Sequence, residues 1–114
     1  MTTAAHQARR WYWQRISAMV LAICVLVHIG VIIYAVRGGL TAAEILGRTQ
    51  GNWWVGVFYG IFVLACTVHV PIGLAKIAEE WLAWPQKTAN MVSNIFGVAI
   101  LFMGFLAVYA VLAS

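Results

Sequence analysis

Charge is what this chain has least of. Only 9% of its 114 residues are charged and three of them are acidic, whereas 64% are hydrophobic and the mean hydropathy is +0.91. A soluble domain is about a quarter charged and about half apolar, so a water-soluble globule is excluded. Cysteine is scarce as well. Cys24 and Cys66 form no CxxC or other metal spacing, and both fall inside apolar runs, where they read as small buried hydrophobes. There is no internal repeat, no low-complexity segment and no length for a second domain. The net charge of +4 comes from few basic residues, mostly at the ends of apolar runs. That pattern fits control of topology, not a surface that tracks phosphates, and nucleic acid is not expected as a partner.

What the chain has instead is three long apolar runs. Ile16–Val36, Trp53–Ala75 and Val92–Leu112 each approach or exceed the roughly 20 residues that cross about 30 Å of hydrocarbon. Lipid offers the backbone no hydrogen-bond partner, so runs of this kind are helices. The expected fold is an all-α integral membrane protein with three transmembrane helices. The first run is too long for a signal-peptide core and no small-residue cleavage site follows it, so no secretory signal is expected. Trp11, Tyr12, Trp13, Trp53, Trp54, Trp81 and Trp84 mark the span boundaries as interfacial anchors. Arg9, Arg10, Arg15, Lys76 and Lys87 lie on one side, against Arg37 and Arg48 on the other, which predicts a cytoplasmic N-terminus.

The loops carry their own signals. Thr41-Ala42-Ala43-Glu44 has the form of a capping box, with Gly47 as its stop, and predicts a short helix on the outer surface. After the second span the helix is expected to continue for a turn or two until Pro85 breaks it. Gly56 and Gly60 form a GxxxG pair, and Gly97 and Gly104 lie two turns apart, so all four suit close helix packing. Pro71 removes a backbone bond inside the second span, and a kink there is expected to open space beside His69.

Chemistry enters with His28 and His69, each inside an otherwise nearly charge-free run. Ionisable side chains at membrane depth are costly and point to function. Neutral imidazole is the usual nitrogen ligand of haem iron, so both are candidate ligands. At a rise of 1.5 Å per residue, His28 lies about 18 Å and His69 about 9 Å from the inner edge. An offset of about 9 Å disfavours one haem bridging the two within a chain. Each histidine is instead expected to serve its own haem, with the opposite ligand drawn from another chain. Ser17 and Cys24 lie on the stripe of His28, and Gly73 lies one turn beyond His69, where a flat macrocycle needs small neighbours. Another reading leaves each histidine neutral and bonded to a carbonyl across helices. Arg15 either snorkels to the headgroups or faces a haem propionate or quinone carbonyl. Glu80 and Trp81 are candidates for lining a quinone pocket, while His6 reads as solvated.

These residues resemble a known family. The stretch W-x-Q-R-I-S-A-M, then V-H-V-P-I-G-L-A-K-I-A-E-E-W, is similar to the cytochrome b membrane-anchor subunits of succinate dehydrogenase and fumarate reductase. The resemblance covers nearly the whole chain and implies three spans in a bacterial inner membrane. It implies haem b on His69, and quinone and propionate contacts at Arg15 and Ser17. Gln14 replaces the histidine of the family's entrance motif, and Glu80-Trp81 stands where an aspartate–tyrosine pair is usual. His28 resembles only the first-helix histidine of the two-haem anchors. The implied partners are a flavoprotein subunit, an iron–sulfur subunit, and either a second copy of this chain or another small anchor. The chain itself would carry no dicarboxylate site. A haem-free anchor, a b-type cytochrome subunit of another dehydrogenase and a small transporter stay open at this point, though the paired broken helices of a transporter are missing.

Overall fold

Apolar runs that cannot leave a backbone group unpaired in lipid become helices that bond within themselves. The computed structural model describes residues 3–113 and places four helices in them: α1 (Ala4–Gly38), α2 (Ala42–Thr49), α3 (Trp53–Trp81) and α4 (Gln86–Ala113). Three of these, α1, α3 and α4, are long and apolar enough to cross a membrane. They contain the three sequence-derived spans and outrun them. The 35 residues of α1 rise about 52 Å, matching the 51 Å long dimension of the molecule. Its first turns, rich in Gln and Arg, therefore extend beyond the apolar segment.

The order across the bundle is α1, α3, α4, with α3 in the middle packed on both neighbours. Glycine sets the closeness of the α3–α4 contact. A Cβ on Gly97 would fall 2.5 Å from Cγ of Pro71, and one on Gly104 would fall 2.6 Å from Val63. Gly56 is closed by Leu112 at 2.9 Å, while Gly60 has room, with Phe105 4.0 Å away. The ring of Pro71 thus sits in a notch of α4 within an unbroken α3. Its ring faces α4. Ala75, Ala78 and Ala89 form a small buried cluster near one end of this interface.

Two ends are distinguished from here on. The loop-1 end holds residues 39–52 and the C-terminus of α4; the loop-2 end holds the start of α1 and residues 82–85. At the loop-1 end, α2 closes the bundle. Thr49 Oγ1 donates to Val111 O at 2.8 Å and the Gly51 N–H to Leu112 O at 2.9 Å. These are last-turn carbonyls of α4 that have no partner within their own helix. Arg48 Nη2 donates to Gly39 O at 2.7 Å, just past the C-terminus of α1, where a cation also suits the helix dipole. The α2 capping box is complete: Glu44 N–H donates to Thr41 Oγ1, and Thr41 N–H donates to the Glu44 carboxylate at 3.0 Å. Those bonds from Thr41, with the charge of Arg48 adding to them, hold the Glu44 carboxyl below the usual 4.5. Gly39 adopts φ +111°, and any Cβ there would collide with that carboxylate. Gly47 does not stop the helix, which runs on to Thr49 and turns at Gly51 with φ +68°.

At the loop-2 end, α3 stops at Trp81, four residues ahead of Pro85. Ala83 takes the turn in the left-handed region at φ +54°, and the Trp84 N–H reaches back to Ala78 O at 3.0 Å. Pro85 lies just past this stop, and its carbonyl accepts the Ala89 N–H and so opens α4. Arg10 Nη1 donates to Asn90 Oδ1 at 3.1 Å and ties α1 to α4 there.

Candidate functional site

On α1, Gln14, Ser17, Leu21, Cys24 and His28 recur at alternating spacings of four and three, and all are buried or half-buried. This is one stripe of a helix, and two contacts show that it faces α3. Gln14 Nε2 lies 3.3 Å from where a Gly73 Cβ would stand, and His28 Nδ1 lies 2.9 Å from Tyr59 Oη. The contacts share one antiparallel register: fourteen steps up α1 from Gln14 to His28 match fourteen steps back along α3 from Gly73 to Tyr59. The same register sets His69 level with Ala18, ten residues or about 15 Å along the axis from His28. The offset exceeds the sequence estimate because the span edges are not level: Ile16 stands opposite Pro71, four residues short of Ala75. The two histidines occupy two levels of one helix pair.

The levels are chemically unlike. The His28 ring is hydrogen-bonded to Tyr59 and lies edge-on to Tyr59 and Phe62, with centroid separations of 5.6 and 5.7 Å. Phe58 completes the cluster through edge contacts with Tyr59 and Phe62. At the other level, Nδ1 of His69 is buried with no hydrogen-bond partner. One other buried side-chain polar atom among the described residues is in that position, Oε1 of Gln14. Buried polar groups are nearly always paired, so an orphan asks for an explanation.

The remaining candidates disperse around these levels. Ser17 is buried, and its hydroxyl donates to Gln14 O at 3.0 Å within its own helix. Arg15 is exposed and lies over the Trp11 ring at 5.1 Å, a cation–π contact at the bundle surface. Glu80 and Trp81 are exposed at the end of α3, Trp81 at 82%. Arg15, Glu80 and Trp81 are not brought together within this chain. A polar cleft of about 210 Å³ does form at the loop-2 end, lined by Arg10, Trp11, Gln14, Ile72, Lys76 and Glu79 among others. A larger cleft of about 490 Å³ lies at the loop-1 end beside Gly56 and Leu112, away from both histidines. Cys24 is buried and Cys66 half-buried, both as free thiols, as small apolar-span cysteines should be. His6 is exposed.

The residue order assigns no role to Tyr59, and it marks Gln14 only as the replacement of a histidine in the resembled family's entrance motif. Gln14 was within reach, because it sits one step below Ser17 on the stripe that ends at His28. Tyr59 was not, since its meeting with His28 depends on a helix register that one chain's spacing does not specify. Does the His69 level suit haem? A ligating histidine binds through one nitrogen and donates an N–H from the other. The His69 ring makes no hydrogen bond within the chain and has Gly73 one turn on, so it is free to serve as a ligand, with its buried Nδ1 still in need of an acceptor.

Comparison with family models, curated proteins and solved structures finds no match to this chain.

Proposed function

We propose that this chain is a cytochrome b membrane anchor of a succinate:quinone oxidoreductase-type complex, with His69 as a ligand of haem b. The observation that carries the reading is the orphaned Nδ1 of His69, buried within a bundle whose helices are long and apolar enough to cross a membrane. Structural histidines in lipid are bonded across helices; His69 is not. His28 is the ligand at the second level, about 15 Å away, and the opposite ligand at each level comes from outside this chain. The need for another chain is supported by surface. Only 11%, 11% and 6% of the most apolar stretches of α1, α3 and α4 are buried, so lipid or a partner covers the rest. That partner is a second copy, related by a two-fold axis, or another small anchor.

Haem b, when bound, supplies a one-electron carrier. The residues of this chain hold it, exclude water from it and set its surroundings. The N-terminus faces the cytoplasm of a bacterial inner membrane, α2 lies on the outer face, and a flavoprotein and an iron–sulfur subunit dock at the loop-2 end. Quinone is met at that same end by Arg15, Ser17, Glu80 and Trp81. In this scheme the chain is a non-catalytic subunit, and the dicarboxylate is handled by its partners.

One observation favours a second reading at the upper level. The bond between His28 and Tyr59 already satisfies one nitrogen within the chain, as a purely structural tie would. Haem quantitation decides: His28→Ala should halve the haem per chain if both levels are filled, and leave it unchanged if His28 only ties helices. Purification from native membranes tests the larger claim. Copurifying flavoprotein and iron–sulfur subunits support it; soluble partners of another kind would make the chain a haem anchor of a different dehydrogenase.

A further inference from the structure

The two orphaned atoms, Gln14 Oε1 and His69 Nδ1, are complementary. An amide oxygen only accepts, and an imidazole nitrogen can carry a proton. On α3, His69 falls at helical spacing between Phe62 and Gly73, residues that meet His28 and Gln14 of α1. Gly73 has no side chain, so the Gln14 amide lies against the turn of α3 that begins at His69, with Nε2 3.3 Å from the Gly73 Cβ position. The two groups are not bonded in this structure, and the register that sets Gln14 opposite Gly73 leaves His69 one helical turn away. The hydroxyl protons of Ser17 and Thr67 are already given to Gln14 O and Val63 O.

We propose that Gln14 is the positioning residue of His69: its amide oxygen takes the Nδ1 proton, leaving Nε2 as the lone-pair nitrogen that meets a metal. The proposal rests on the reading of His69 as a haem ligand and adds how the ligand is prepared. Which imidazole nitrogen is free is set by the hydrogen bond that the other makes. The reverse orientation of the amide would donate to Nδ1 and leave the proton on Nε2, which blocks ligation. Gly73 is part of the arrangement, since a side chain there would push the amide out of the interface.

The test reads the tautomer directly. Histidine-selective 15N NMR of the full, haem-free chain in nanodiscs, with the His69 signals assigned by their loss in His69→Gln, should show Nδ1 protonated and Nε2 bare. Gln14→Leu should move the proton to Nε2 and weaken haem binding about tenfold or more, the scale at which partners of metal ligands act. Gln14→Glu keeps the acceptor and should restore both. A proton on Nε2 in the wild type overturns the proposal, as does an unchanged tautomer in Gln14→Leu. If Gln14→Leu does not fold, the wild type and Gln14→Glu decide. Failure of the haem reading looks different: the wild type would then bind no haem whatever its tautomer.

Discussion

The loop-1 and loop-2 ends of this bundle are finished to different standards. At the loop-1 end the helix ends are tied by hydrogen bonds. Thr49 and Gly51 close the last carbonyls of α4, Arg48 closes α1, Thr41 and Glu44 cap α2, and His28 is bonded to Tyr59. The loop-2 half keeps two orphaned polar atoms, an alanine in the left-handed region and a polar cleft. Chains depart from local consistency mainly where function asks for it. On the proposed function, the loop-2 half is the working end and the loop-1 half the clamp.

The comparison can be strained by overpacking each half. Gly97→Ala sets a methyl against the rigid ring of Pro71 and should cost about 2 kcal/mol, in the range of forced overpacking. Gly56→Ala meets only the flexible end of Leu112 and should cost less than half of that. Thermal unfolding in detergent compares them; equal losses would mean that the ring does not set the α3–α4 spacing. Tyr59→Phe comes next. It strips His28 of its partner and should lower stability by about 1 kcal/mol, within the range measured for hydrogen bonds between membrane helices. An unchanged melting point would show that the clamp does not depend on this bond.

Ala83→Gly works in the opposite direction. Glycine enters the left-handed region without the Cβ penalty and should stabilise the protein by about 0.5–1 kcal/mol. If electron transfer slows as stability rises, the strain belongs to the working end. The smallest effect is local. Glu44 has its carboxyl lowered by Thr41, so the capping contribution is complete above the usual 4.5 and fades as pH falls through the lower value of the folded state. The protection of the Thr41 amide, taken relative to the intrinsic exchange rate at each pH, should therefore be greater at pH 7 than at pH 3, with the protection in α3 unaffected.

Much of this architecture was readable from residue order. Apolar length announces three membrane helices, because lipid leaves the backbone no alternative. The spacing of Ser17, Cys24 and His28 foretold a buried stripe. What could not be read was register. Span edges on different helices need not be level, which is why His28 and His69 stand about 15 Å apart and not about 9 Å. Pairings that depend on register, His28 with Tyr59 and Gln14 with Gly73, were invisible for the same reason. Pro71 shows a related limit: that its ring meets Gly97 depends on a neighbouring helix and not on its own segment.

The central claim concerns one residue at the working end. An absorption spectrum of the reduced protein, purified with its partners, should show a low-spin b-type haem band in the wild type. In His69→Ala the band of that level should vanish while the three helices stay folded by circular dichroism. A wild type without the band, or a His69→Ala protein that keeps all of it, would contradict the account.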